Sequence, residues 1–584
     1  MANIDDLFKA SGAGSKRKLD PLRDPSEIYK SARLSSNGTG SRHASVEETA
    51  ELDDDDAEAG PALPPDEEDE FGGSGLTRQE EDALDYIDAL DPTNDQQPLK
   101  FDNAWLRKTA INFEKCINKN AELRAKYENE PAKFADSENS LDQEIRSLSI
   151  LSEHPELYTL FVNLGSVASL VGLLAHENTD IAIDAVEVIN ELTDEEVVAD
   201  DEQWDTLVDA LLEDDLLGLL VSNFERFDEK EEADQKGVYY ALGIIENLCS
   251  GRTATKEKFA ENDKLLKWLL RRIQAKEPKV SQNKQYAAEI LAILMQDSPP
   301  TRTKLASLDA MEILLQLSSA YRRRDPEKGG YEEEYMENLF EALASLADEP
   351  EGKTKFAEAD GPELCLLMLK DGNKSKASAL RLLTHAVGGS GAAGVEVCQK
   401  VVKDGGLKTL FTMFMKKKND KVTMELLISI FGSMLRLLPA DSDERIRALA
   451  KFVEKDYEKT IKLFKIRRDY AARMNEVEGE IEEEKRTHDR DWLELQDGEW
   501  FLRRLDAGLF CLQTIDVILA WLIAEDEGAK KTIRKLLADQ DETFEVIRNT
   551  LQEQIKGIEE ANDTKDKDPW DLKEMLLTLV EFLQ

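Results

Sequence analysis

One helix-length pattern recurs down this chain, and no copy of it can bury its apolar side alone. Asp184–Thr193 reads Asp-Ala-Val-Glu-Val-Ile-Asn-Glu-Leu-Thr, and Tyr240–Cys249 reads Tyr-Ala-Leu-Gly-Ile-Ile-Glu-Asn-Leu-Cys. Ala287–Met295 and Leu339–Ala347 repeat the same design of apolar stripe, small residues and closing break, with weaker copies near Ala379–Ala386 and Leu426–Leu435. Anchored on Leu192, Leu248, Leu294, Leu346 and Ala386, the copies stand 56, 46, 52 and 40 residues apart. Two of the preceding helices, Gly165–Leu174 and Gly405–Phe414, each begin at a glycine and then run apolar at i, i+3 and i+4. Units of this kind gain a core only by stacking on their neighbours, which produces a superhelix with a concave inner face.

The spacings are loose armadillo or HEAT periods lengthened by insertions. From about residue 100 onward nearly everything reads as helix, with short Asn, Asp, Gly and Pro breaks and no strand alternation. The expected fold is all-α, an armadillo/HEAT-like right-handed superhelical solenoid. Residues 1–95 read as a disordered acidic tail, 96–160 as an N-terminal helical cap, 161–445 as the repeats, and 446–584 as a long helix with a helical cap. Inside the tail, Lys16-Arg17-Lys18 is a candidate nuclear localisation signal. Between residues 451 and 490 a narrow apolar seam runs through Tyr457, Ile461, Phe464, Tyr470, Met474, Val477 and Ile481 among dense charges. That helix either packs back on the solenoid or pairs with a second copy, so a homodimer is one expectation. Phe501–Ala524, Glu542–Ile558 and Trp570–Leu583 read as the closing helices.

Charge narrows the function. The chain carries 121 acids and 75 bases, a formal charge of -46. Residues 1–95 hold 25 acids and 9 bases, so about -30 remains on the folded body. Such a body repels nucleic acid backbones and anionic membranes. Between Asn178 and Asp234 there are 21 carboxylates and two bases, yet the segment is apolar-periodic. Its acids therefore sit on folded helices. Asp180, Asp184, Glu187 and Glu191 fall at i, i+4, i+7 and i+11 on one face, and Asp194 follows at the helix end. With Glu246 and Asn247 of the next unit they form the candidate partner-binding surface, an anionic platform for basic peptide segments.

No enzyme motif competes with this reading. Gly389-Ser-Gly-Ala-Ala-Gly394 follows a helix where a dinucleotide fingerprint needs a strand, and Gly352-Lys-Thr354 lacks the upstream glycine of a phosphate loop. None of the five histidines stands in a metal-ligand pattern, and the five cysteines lie far apart with no CxxC pair. The expectation is a non-enzymatic protein with no cofactor and no metal.

Several segments carry a closer resemblance. Gly172–Asp194, Asn120-Ala-Glu-Leu-Arg124, Trp268-Leu-Leu-Arg-Arg272, Met336-Glu-Asn-Leu-Phe340 and Phe501–Phe510 resemble the beta-catenin-like protein 1 family, in order, from about residue 100 to the end. The resemblance implies a nuclear armadillo-like adaptor associated with the spliceosomal nineteen complex. It also implies partners: basic, nuclear-localisation-type segments of splicing factors, including the complex's Myb-domain subunit. The alternative within the architecture is a nuclear-import adaptor. Import adaptors grip lysines with a Trp/Asn ladder, but the residues one turn before Asn190 and Asn247 are Val186 and Gly243. Recognition is therefore expected to rest on carboxylates more than on aromatic slots.

Overall fold

The structure, a computed structural model, describes residues 100–488, 490–561 and 572–584, and every regular element among them is a helix. The tail 1–95, with Lys16, Arg17 and Lys18, lies outside the described residues.

Six three-helix units follow one another from Tyr158 to Leu437. The turn between the first and second helix of each unit hangs on one residue: Gly165, Asp215, Asn262, Asp309, Asp360 and Gly405, spaced 45 to 51 apart. Five of these are left-handed, with φ between 57° and 79°. Glycine adopts that conformation freely, and aspartate tolerates it because its short polar side chain can bond locally. Asn262 makes the same corner from extended backbone, its side chain accepting from the Lys264 and Leu265 amides.

The third helices stack on one another in a single row. α1 (Ala135–Ser147) of the N-terminal cap starts it; α2 (Thr179–Leu192), α3 (Glu232–Gly251), α4 (Gln282–Met295), α5 (Tyr331–Leu346), α6 (Ser375–Val387) and α7 (Lys421–Leu437) continue it. Small buried residues at the contacts, among them Ala182, Ala185, Ala241, Ala287, Ala288 and Ala342, let the helices approach closely. Polar ties repeat between units as well. Asn223 donates to the Leu174 carbonyl at 3.0 Å, and Tyr335 to that of Ile273 at 2.7 Å. Trp268 donates to the Phe224 carbonyl at 3.1 Å while its ring stacks on Phe224 at 4.1 Å. Each such bond is worth about 0.5–1.5 kcal/mol net, and more if broken on one side only.

Past the repeats, α8 (Asp443–Thr487) packs back on the body through Phe464, Tyr470, Met474 and Ile481, all buried. Tyr457, Ile461 and Val477 of the expected seam are only half-buried. The helix is interrupted at Glu454–Tyr457, where Lys455, Asp456 and Tyr457 are consecutively left-handed. Phe501–Ala524, expected as one helix, is two: α9 (Arg490–Ala507) and α10 (Leu509–Glu525), the latter closing the third-helix row. They break at Gly508, with φ 100°, where a Cβ would stand 2.3 Å from the Tyr470 ring. Tyr470 fills the corner, so the chain can turn there only through a residue with no side chain. Among the described residues no single helix is long and apolar enough to cross a membrane.

Candidate peptide-binding face

The third helices share a register. Eight residues before the anchors Leu192, Leu248, Leu294 and Leu346 stand Asp184, Tyr240, Tyr286 and Asn338; five before them stand Glu187, Gly243, Glu289 and Glu341. The two positions are one helical turn apart, so stacking aligns them into a strip across α2 to α5.

On α2 the sequence fixes where the strip begins. Asn178 caps the helix, its side chain accepting from the Asp180 amide at 3.1 Å, and exposed Asp180 lies in the first turn, where negative charge suits the macrodipole. Asp184 corrects the sequence reading: it is buried, 5% exposed, and is not part of an open surface. Its position falls in the seam between α1 and α2, where it accepts from Arg146 at 2.8 Å and is hydrogen-bonded to Asp142. Burial and the Asp142 contact push its carboxyl up to about 8.

Glu187, Glu191 and Asp194 are half-buried along the strip. Glu187 accepts from the Tyr240 hydroxyl, and burial together with that carboxylate raises the Tyr240 phenol above its ordinary range. The Glu191 carboxyl is also raised, first by burial and then by nearby Glu187. Asp194 accepts from the Glu196 amide at 2.9 Å. Arg146 pairs with Asp142 and Asp184, but among the described residues Asp180, Glu187, Glu191 and Asp194 form no ion pair. Farther along, Glu337 of α5 is exposed as a residue but its carboxyl is partly desolvated, and that desolvation with Glu333 and Glu334 raises it against Lys374 and Arg381.

Glu246 and Asn247 of α3 are half-buried and tie helices together. Glu246 accepts from the Tyr286 hydroxyl at 2.5 Å, and the Asn247 amide reaches the Asn190 carbonyl at 3.4 Å. The Trp/Asn ladder is absent, as read: Val186 is buried, and a Cβ on Gly243 would meet the Asn190 side-chain oxygen at 2.2 Å. Aromatic rings are nevertheless present. Tyr239 lies 5.9 Å from Tyr240 and 5.2 Å from Tyr286, ring centre to ring centre. Sequence reasoning missed this cluster, although its signal was available. Tyr240 and Tyr286 are 46 residues apart, the same separation as their anchor leucines.

Comparison with known proteins agrees with the fold. The family model described as "Catenin-beta-like, Arm-motif containing nuclear" matches residues 81–552. The beta-catenin-like protein 1 homolog of Schizosaccharomyces pombe is 38% identical over 490 residues, covering 84% of this chain and 85% of that one. Human beta-catenin-like protein 1 is 37% identical over 473 residues, covering 78% and 82%. Among solved structures, a designed armadillo repeat protein aligns over 46% of this chain and 99% of its own at 17% identity, with a TM-score of 0.35. By its sequence and its three-helix units, the chain belongs to the catenin-beta-like, Arm-motif-containing nuclear family.

Proposed function

We propose that the protein is a non-enzymatic nuclear adaptor in pre-mRNA splicing that holds Lys/Arg-rich segments of splicing factors on the acidic strip of α2 to α5. The observation that carries this reading is an imbalance in how the fold treats its acids. Elsewhere on the body, carboxylates are met by the chain's own cations and held below their usual range: Glu333 by Lys374, Asp371 by Arg322, Asp263 by Lys304, Glu478 by Arg504. On the strip, Glu191 and Glu337 are raised, by burial and by like charges beside them. The cations nearest the strip, Arg146 beside α2 and Arg381 beside Glu341, do not bring Glu191 or Glu337 below their usual range, and a fixed anionic surface only partly neutralised from within suits an external cation. The splicing context comes from the resemblance to the family.

Single exposed ion pairs contribute about 0.2–1 kcal/mol, so useful affinity needs several acting together and falls steeply with salt. The test is the Glu187→Lys/Glu191→Lys variant, with buried Asp184 left alone. Fluorescence anisotropy with a Lys/Arg-rich peptide should show at least about tenfold weaker binding at low salt, the sum of two lost attractions and two new repulsions. Undiminished binding by a folded variant would remove the strip as the site.

A further inference from the structure

The tyrosine cluster deepens that reading, on which it rests, by specifying the kind of basic segment. We propose that the Tyr239–Tyr240–Tyr286 shelf makes this face selective for arginine over lysine. Tyr286 is buried, 3% exposed, and forms the base of the shelf; Tyr239 and Tyr240 are half-buried and present ring surface on the strip. The rings touch one another at 5.2 and 5.9 Å, with planes at 45° and 66°. They form a continuous angled shelf and enclose no cage.

The shelf is set before any ligand arrives. The Tyr240 hydroxyl is hydrogen-bonded to Glu187 on α2, and the Tyr286 hydroxyl donates to Glu246 on α3. Each bond fixes a ring and, by the same contact, aims a carboxylate beside it. Gly243, one turn after Tyr239 and Tyr240, has no side chain, and the Asn190 amide fills the space where one would stand. The tyrosines are therefore held between helices, with little freedom to lose on binding.

A guanidinium is planar and weakly hydrated; it can lie flat on an aromatic face while its N–H fork extends past the ring edge to a carboxylate beside it. Glu187 and Glu191, one turn apart on α2, both lie close to Tyr240, Glu187 hydrogen-bonded to its hydroxyl and Glu191 near enough to raise its phenol. An ammonium is a compact, strongly hydrated point charge. It gains from the carboxylates but must shed water to sit against the rings, and it has no fork to share between two acids. Carboxylates alone would favour arginine only modestly, through the fork. The rings separate them.

The experiment compares two peptides identical except that every arginine of one is lysine in the other, titrated by anisotropy against the full chain. The arginine peptide should bind about tenfold more tightly, the size expected of one partly desolvated cation–π contact. In Tyr239→Leu/Tyr240→Leu, which keeps apolar volume but removes the rings, the arginine affinity should fall close to that of lysine while lysine affinity is nearly unchanged. Tyr240→Phe keeps the ring and should keep the preference. Loss of the preference there would place discrimination in the hydroxyl tie and overturn the shelf. Equal affinity for both peptides on the wild-type chain would overturn the selectivity and leave the acidic strip standing. Failure of both peptides to bind would overturn the strip itself. The wild-type comparison needs no variant, so an unfolded double substitution leaves the proposal open to refutation.

Discussion

Arg467 and Asp516 form an ion pair sealed inside the C-terminal region, and breaking it from one side should cost more than removing it whole. Arg467 of α8 meets Asp516 of α10 with both arms of its guanidinium, at 2.6 and 3.2 Å, and the side chains are 4% and 0% exposed. The Asp516 carboxyl also has the Thr550 hydroxyl of the helix Glu545–Ala561, so three helices converge on it. Arg467→Met leaves a buried carboxylate with one neutral partner. Loss of one member of such a pair costs about 3–5 kcal/mol, while replacing both with apolar groups of similar volume is close to neutral. Burial already raises the Asp516 carboxyl despite Arg467. Without Arg467 it rises further above its unfolded value. The variant therefore recovers some stability as pH falls, and its deficit should be larger at pH 8 than at pH 5. Because repeat arrays depart from two-state unfolding, the readout is hydrogen exchange of the α10 amides with denaturant, for Arg467→Met, Asp516→Leu and the double variant. Each single change should lower α10 protection by about 3–5 kcal/mol, and the double variant should return to within about 1–2 kcal/mol of wild type. Single losses below about 1 kcal/mol, or losses that simply add in the double, would refute the reasoning.

Other positions give shorter tests. Burial and Asp142 raise the Asp184 carboxyl to about 8, above its unfolded value, so its contribution is fully present only below the unfolded value and is lost as pH rises through about 8; Asp184→Asn should melt higher than wild type at pH 8, the difference narrowing as pH falls toward 5. At the left-handed turn in α8, Asp456 has φ 53°, and Asp456→Gly should stabilise by about 1 kcal/mol in thermal melts, since glycine adopts that conformation without strain. Gly508→Ala should do the reverse, losing about 2 kcal/mol or more, because its Cβ would meet the Tyr470 ring on a backbone with φ 100°.

The repeat architecture was legible because its signal is redundant. Most units repeat the anchor leucine and the small residues before it, and every first corner carries a glycine, aspartate or asparagine, so one irregular copy does not hide the period. Asp184 was misplaced because helical periodicity defines a buried face against a single partner. The third helices are packed on both sides, which widens the buried arc until it takes in a residue next to the apolar stripe. The tyrosine strip was hidden for a different reason: aromatic residues in an apolar helix read as core, and only alignment of α3 with α4 shows them at one register. Lys455, Asp456 and Tyr457 offered no cue. Neither glycine nor proline marks the turn, and the contacts around it, one local and one distant in sequence, are invisible to local propensity. Tyr457 bonds Asp526 at 3.3 Å, and Lys459 holds Glu454 at 2.8 Å.

The strip also bears on why a chain would retain acids where they cost stability. Carboxylates raised by burial and by each other are less favourable in the folded state than in the unfolded one, the opposite of the paired acids elsewhere on the surface. Scattering one lysine among them would relieve the strain, as Lys374 does for Glu333. On α2 that relief is partial: Arg146 pairs directly with Asp142 and Asp184 and reaches Glu187 and Glu191 only through its field. The same charges, brought against a cationic segment, would lose their mutual repulsion and regain an ordinary ionisation. On the proposed reading, binding energy and folding energy would be linked through one set of side chains: repulsion that makes this part of the solenoid less stable when empty would be released on filling it, and so would add to affinity.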